Sequence, residues 1–551
     1  MLSGPLGSYS EKYLARTNAL AGASEGQSGL VGSATFRRRL VYTGLNNKNL
    51  SKGVHMHRRS FCQSSLAAAV TAALPLSALA ASSRTRVSAD LTAVTLDGGE
   101  TTLAKAVVKE FVAAQRGAVL LDGSDGYDRS RAIWNGMYDR KPALISLCSG
   151  PVDVINAVNF ARDNNLLLAV RAGGHSISGK SVCEGGLMVD LTQMNSVRVD
   201  PQRQTARVEG GALLGAMDHE AQRFGLVTTA GTVSHTGAAG LTLGGGLGRL
   251  ARLYGLTCDN LLSADIVTAD GSYLRASADE NPELFWGLRG GGGNFGIVTS
   301  LEYQLHPFGP DILGCTLMYP MDQARDVLNF VNEFAPQAHR ELTMSGVMIM
   351  PPNGKAFAII SASYAGDFAN GEKHIQPLLN FGKPITSSVK PQNYVHMQRD
   401  RDGNLPHGRK YYLKSGFMQE LAPRFIDELV ERFEPSPRRN NVVLLNQQGG
   451  AISDRAADAT AFNHRDANFD LMIGAAWDDG ADSETNVAWG RNYYKEVSAY
   501  TTGYYVNNAM DESSESVGRN YSGNRKRLVA LKNEYDPGNL FRLNANILPT
   551  V

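Results

Sequence analysis

The stretch Arg171-Ala172-Gly173-Gly174-His175-Ser176-Ile177-Ser178-Gly179 decides how the chain is read. It follows a short apolar run, Leu166-Leu167-Leu168-Ala169-Val170, which has the character of a buried strand. The glycines let the backbone turn sharply and approach another group closely. Successive N–H groups exposed by such a turn form a concave anion site, suited to a pyrophosphate. Upstream, Leu144–Leu147 is strand-like, and Val152, Ile155 and Val158 share one helical face behind Pro151, where a missing N–H costs nothing. Strand, helix, strand and anion-binding turn in that order make an α/β arrangement.

Working outward, the next dense motif runs from Gly231 to Arg249, GTVSHTGAAGLTLGGGLGR. So many glycines do not suit a packed helix; they suit a backbone pressed against a flat ligand. Between the two motifs, Leu187–Leu191, Val197–Val199 and Ala206–Val208 are short β-like runs, and a helix is expected over Ala212–Phe224, ended by Gly225. Asp270-Gly271 between Leu262–Thr268 and Tyr273–Ala276 is a strong hairpin signal. Gly291, Gly293 and Gly296 match GxGxxG, but a helix-like Pro282–Leu288 precedes them and a strand-like Ile297–Leu305 follows. That is the reverse of the nicotinamide-binding order, so a glycine loop at a sheet edge is the better reading. Farther upstream a helix is expected over Leu103–Ala114, and 123–139 is a polar irregular piece with Tyr127, Arg131 and Trp134.

Beyond Pro307 and Pro310 the texture changes. Runs around 315–318, 343–350, 356–364, 442–445 and 470–476 resemble strands, and 322–334 and 422–433 resemble helices. An α+β domain on a largely antiparallel sheet is expected. Near the end, Tyr504-Tyr505-Val506-Asn507 precedes a helix over about 524–535, which Asp536-Pro537-Gly538-Asn539 breaks.

A net charge of +1 over 551 residues gives no global reason to expect nucleic acid or an anionic membrane as partner. The five cysteines show neither CxxC nor CxxH spacing, which argues against a structural zinc site; each reads as a small buried hydrophobe. Residues 1–55 lack periodicity and read as disordered. From Met56, paired arginines at 58 and 59, an apolar run over 66–74 and Ala78-Leu79-Ala80 form a twin-arginine-like signal layout over 56–81. The apolar run is too short to span a bilayer. The layout implies a true start near Met56 and export to the periplasm or beyond; the competing reading is a basic, Ser-rich organellar presequence.

Taken together, 171–176, 231–249, Trp286–Val298, Tyr505-Val506-Asn507 and Tyr535–Asn546 resemble, in the same order, the berberine bridge enzyme-like oxidases of the vanillyl-alcohol oxidase/p-cresol methylhydroxylase superfamily. The resemblance covers most of the chain from about 105 onward. It implies an α+β fold: a bipartite PCMH-type FAD-binding domain of two α/β subdomains, at 105–308 and 501–551, and a substrate domain at 309–500 whose antiparallel sheet, flanked by helices, roofs the isoalloxazine. It also implies FAD held covalently through His175. Many relatives add a cysteinyl tether, but the matching position here is Val233, so a single link is expected. Other implied cofactor contacts are Arg171, Ala172, Gly173, Gly174, Ser176, Ser178 and Gly179 at the pyrophosphate. Thr236, Gly237, Gly240, Leu241 and Gly245 are expected near the flavin, Ile297 and Val298 on the adenine side, and Asn507 at the ring. Tyr505 is the implied base for oxidising an alcohol, a carbohydrate or a secondary metabolite, with Tyr504 as fallback; His235 reads either as a proton acceptor or as a hydrogen-bonded loop histidine. Dioxygen giving hydrogen peroxide is the implied acceptor. A dehydrogenase with another acceptor and a flavin-binding protein without catalysis are the competing readings, and Thr236, at the oxygen-gating position, does not decide between them.

Overall fold

The computed structural model describes residues 85–550, apart from 352–353, 434–439, 479 and 481. The expected export signal and the segment before it lie outside the described residues.

Three sheets carry the fold. The strands Val119–Leu120, Leu144–Leu147, Leu187–Asp190 and Leu168–Arg171 lie side by side in that order, the last three parallel. The helix Pro151–Asp163 makes the crossover, with Pro151 in its first turn. Its buried stripe is Val154, Ala157, Val158 and Ala161, a one-face spacing. Val152 is 65% exposed, so the expected 152/155/158 face is rotated by a residue or two.

The second sheet is antiparallel, in the order Tyr273–Ser277, Leu261–Val267, Ile297–Gln304, Thr205–Glu209, Val197–Asp200. The Asp270-Gly271 hairpin forms as expected, with Gly271 at φ +83°. The helix Leu214–Gln222 ends before Gly225, φ +67°, and is shorter at both ends than the expected 212–224. The first helix begins at Lys105, because Leu103 is paired in a hairpin strand with Leu91. The stretch 123–139 holds one short helix, Tyr127–Arg131, that its polarity hid.

The third sheet has seven strands, all antiparallel, in the order Thr386–Asn393, Asp311–Pro320, Phe357–Tyr364, Leu342–Met350, Asn441–Gln447, Phe469–Trp477, Lys410–Met418. Helices Ala324–Phe334 and Pro423–Glu431, both expected, pack on one face with a large apolar cluster. The period of two then divides each strand: on Phe469–Trp477, Leu471 and Ile473 enter that cluster, while Asp470, Met472 and Gly474 face a cavity. Tyr505 precedes a 3-10 turn, Val506–Asn508, rather than lying in a strand. No helix among the described residues is long and apolar enough to cross a membrane.

Candidate flavin and substrate site

The cavity, of about 550 Å³, lies between the two smaller sheets and the open face of the seven-stranded one. Its floor exists because two glycine loops touch backbone to backbone. A Cβ on Gly173 would stand 2.4 Å from the Gly237 nitrogen, and one on Gly237 would stand 2.5 Å from the Gly173 nitrogen. Real Cβ atoms do not come that close, so both positions demand glycine.

That contact places His175 against His235, Nε2 to Nδ1 at 3.0 Å. Trp134 stacks on the His175 ring at 4.3 Å, and Tyr411 stacks on the indole at 3.9 Å. The Trp134 backbone N–H donates to the Gly174 carbonyl at 2.9 Å, and the indole N–H donates to the Leu405 carbonyl at 2.9 Å. Asn135, fully buried, donates to the carbonyls of Ile177 and Tyr411 at 2.7 and 2.9 Å. The flavin-side loop and the substrate sheet are thus pinned through two adjacent residues that sequence reading left unassigned. Burial above all, then His235 and His407, hold the His175 ring down at about 3. It is neutral at ordinary pH, and a neutral imidazole keeps the lone pair a nucleophile needs.

Ala172, Gly173, Gly174, Ser176 and Ser178 line the cavity beside His175, and Lys180 and Ser181 continue the wall. The Lys180 ammonium donates to the Asn544 carbonyl at 2.6 Å. Thr236, Gly237, Gly240 and Leu241 line the next stretch, with Ile297, Val298 and Asn507. Three expected contacts are not on the wall. The Arg171 guanidinium lies beneath the loop, bonded to the Ser130 carbonyl and 3.7 Å from Asp190. Gly179 turns its missing side chain toward the Tyr138 ring, and Gly245 toward Phe462. Their roles are in the backbone's path. His235 also stands behind His175 rather than on the wall.

The residues present fit a dinucleotide. Loop N–H groups and Lys180 suit its pyrophosphate, and Leu168, Val170, Leu191, Ile297 and Val298 provide apolar wall. The buried Asn544 Oδ1 on that wall has no partner within the protein. GxGxxG closes the far end as a loop: Asn294 donates to the Ala545 carbonyl at 3.1 Å and Asn544 to the Gly293 carbonyl at 3.1 Å.

Tyr505 is buried on the wall. Its phenol oxygen accepts from Gly246 N–H at 3.1 Å, Leu247 N–H at 3.4 Å and the Asn507 amide at 2.8 Å. Asn507 also donates to the Leu241 carbonyl at 3.0 Å, and its amide fills the space a Cβ on Gly244 would need. Burial pushes the phenol up to about 12, while these three donors pull it down. Tyr504 is not on the wall; its hydroxyl is buried elsewhere without a partner.

Sequence reading missed Asp470. Burial raises it to about 7, the Asn446 amide donates to Oδ2 at 3.3 Å, and Oδ1 has no partner. Nothing distinguishes one aspartate in a strand-like run until strand phase is known. Asn446, Gln447 and Gln448 also line the cavity. Lys414 does not, and binds Glu512 at 2.7 Å instead.

Comparison with known proteins agrees with this geometry. Residues 142–277 match the FAD binding domain family, and 504–548 match the berberine and berberine-like family. An FAD-linked oxidoreductase of Dictyostelium discoideum is 32% identical over 446 residues, 80% of this chain and 97% of that protein. The (R)-6-hydroxynicotine oxidase of Paenarthrobacter nicotinovorans is 30% identical over 462 residues, 79% of this chain and 97% of its own. The crystal structure of 6-hydroxy-D-nicotine oxidase from Arthrobacter nicotinovorans superposes with a TM-score of 0.72 at 29% identity, covering 79% of this chain and 98% of that one. With the two glycine loops, the Tyr505 pocket and the C-terminal closure all in place, the chain belongs to the berberine bridge enzyme-like family of FAD-linked oxidoreductases.

Proposed function

We propose that this FAD-linked oxidoreductase oxidises an alcohol, with the flavin tethered through His175 and dioxygen as acceptor. The observation that carries the alcohol chemistry is the setting of the Tyr505 oxygen. Three N–H donors aimed at one oxygen favour its ionised form, against the burial that lifts the phenol to about 12. The bound flavin supplies a two-electron acceptor for hydride. As the phenolate, stabilised beforehand by Asn507 and the 246–247 amides, Tyr505 takes the hydroxyl proton of the substrate and becomes neutral as hydride leaves the carbon, and the neighbouring apolar wall keeps water out. Asp470 serves as the second proton-handling group, since a carboxyl near 7 changes state at working pH.

His175 fits the tether because it is neutral and clamped. When His235 Nδ1 accepts from His175 Nε2–H, the free lone pair is on Nδ1 of His175. A single tether is supported by valine at 233 and by the cysteines: among the described residues, Cys148, Cys183, Cys258 and Cys315 are buried and none lines the cavity. Acid-precipitated wild-type protein should stay yellow, and His175→Ala should release its pigment into the supernatant. A colourless wild-type pellet would defeat the tether. Peroxide formed on a panel of sugars and aromatic alcohols tests the oxidase reading; dye reduction without peroxide would replace it with a dehydrogenase.

A further inference from the structure

The fold treats its buried cations consistently. Arg465 is paired with Asp259 at 2.7 Å, Lys532 with Asp536 at 2.6 Å and Lys414 with Glu512 at 2.7 Å, while Arg252 donates to the carbonyls of Leu342, Gln448 and Ala338. Two arginines on the cavity wall break that pattern. Arg249 follows the glycine motif, and Arg401 follows the helix Tyr394–Arg399. Arg249 makes one long bond, Nη2 to the Met397 carbonyl at 3.4 Å, and its buried Nε has no partner. Among the described residues, no carboxylate lies within salt-bridge distance of either guanidinium. Both are partly buried and line the cavity.

Holding a charge partly out of water with no close counter-charge is unfavourable. Two of one sign side by side cost more. Burial and the neighbouring Arg401 hold Arg249 below the usual arginine range, to about 10, and Asp400, which attracts both arginines from beyond salt-bridge distance, offsets this only in part. Such a pair is sustained when an anion completes it, and a planar guanidinium matches the two oxygens of a carboxylate or a phosphate ester. The flavin's own pyrophosphate does not account for it. Its cradle is the 172–176 turn with Lys180 and Asn544, whereas Arg249 is fastened to the substrate sheet, where Thr343 Oγ1 donates to its carbonyl at 2.8 Å.

We propose that Arg249 and Arg401 form an oxyanion-binding subsite, and that the substrate of this enzyme carries a carboxylate or phosphate-ester group. The proposal rests on reading this cavity as the substrate site. Arg249 is two residues from Leu247, whose N–H touches the Tyr505 oxygen. At about 3.8 Å per residue, the Arg249 and Leu247 Cα atoms lie within roughly 8 Å of each other, and Arg249, Arg401 and Tyr505 line one cavity. A molecule bound in that cavity can meet both, so the anion and the oxidised carbon belong to the same substrate, a hydroxy acid, sugar acid or phosphorylated alcohol. The serines at 361 and 363, also on this wall, add hydroxyl donors for the oxygens the arginines leave free.

The test is a binding measurement on the flavin-loaded protein, read from the visible spectrum of the flavin. Sodium benzoate, phenyl phosphate and benzyl alcohol are titrated as probes of similar bulk. At least one anion is expected to bind tenfold or more tighter than benzyl alcohol, with an affinity that falls as salt rises; which anion wins separates carboxylate from phosphate ester. Arg249→Met and Arg401→Met should each erase most of that preference, whereas Arg249→Lys, which keeps charge and loses the fork, should retain part of it. Thermal unfolding of each variant distinguishes a lost subsite from a lost fold. Equal binding of the three probes, no binding by any, or anion preference surviving both methionine variants would overturn the proposal. None of these outcomes depends on Tyr505 or on the tether, so a failure here is separable from a failure of the alcohol-oxidase reading.

Discussion

At the scale of single residues, the two proton-handling groups make separable predictions. Tyr505→Phe keeps the ring that fills the pocket and removes the oxygen on which three donors converge. Turnover should fall by about 10²–10⁴ with flavin content unchanged, and full activity in this variant would rule Tyr505 out as base. Asp470 titrates near 7, so a rate that needs its ionised form should rise through neutral pH. Asp470→Asn should flatten that limb without reproducing the Tyr505→Phe loss. A second carboxyl, Asp218, is fully buried with one long bond from Gln398, at 3.4 Å, and burial raises it to about 7 as well. It stays protonated in the fold while the unfolded chain is already ionised. Its effect on stability is therefore unfavourable as pH climbs from about 4 to 7 and levels off above. Asp218→Asn should raise stability at pH 8, on the order of 2 kcal/mol, and should give no gain at pH 4; chemical denaturation at the two pH values measures this.

Among elements, legibility followed how locally each one is determined. Gly173 and Gly237 were readable because only glycine tolerates such an approach, and the contact they imply is what places His175. Asp270-Gly271 was readable because turn chemistry is a two-residue matter. The edge strand Thr386–Asn393 was not, since it is almost wholly exposed and shows no alternation. The helices Phe368–Leu379 and Ser483–Val497 also went unread; the first has Pro377 inside it and the second is largely polar. Trp134 and Asn135 were lost in a polar stretch for a different reason: their importance lies in contacts with residues some 40 and 275 positions away. The same held for Arg401 and Asp470, whose place on the cavity wall depends on tertiary contacts. The Trp134 sandwich can be tested directly. Trp134→Leu removes both ring contacts and leaves the Gly174 bond to the backbone, so the proposed tether to His175 should form more slowly or incompletely while FAD still binds. In-gel flavin fluorescence of the denatured protein, set against total flavin, gives the ratio; an unchanged ratio would mean the stack is dispensable.

Over the whole molecule, the flavin domain is built from two distant parts of the chain, and the question is what closes it. Lys532 and Asp536, both fully buried, are the fastening. The Lys532 ammonium donates to Asp536 Oδ2 at 2.6 Å and to the carbonyls of Asn294 and Phe541 at 2.9 and 3.0 Å. Asp536 in turn accepts from the Leu540 and Phe541 N–H groups at 2.7 and 2.9 Å. One ion pair thus joins the C-terminal helix Arg525–Tyr535, the segment carrying Asn544, and the glycine loop before Ile297. Removing one partner strands a buried charge, which costs about 3–5 kcal/mol. Lys532→Met should therefore unfold at lower denaturant and bind FAD more weakly, because Asn544 and the 291–296 loop lose their common anchor. The double variant Lys532→Met with Asp536→Asn removes the stranded charge and should recover part of the stability, while FAD binding stays weakened because the bonds to Asn294 and Phe541 are still missing. Denaturation midpoints and flavin-to-protein ratios for the single and double variants form a cycle that separates the two effects. If the double variant regained both stability and flavin together, the pair would be a matter of charge burial alone and not of closing the cofactor site.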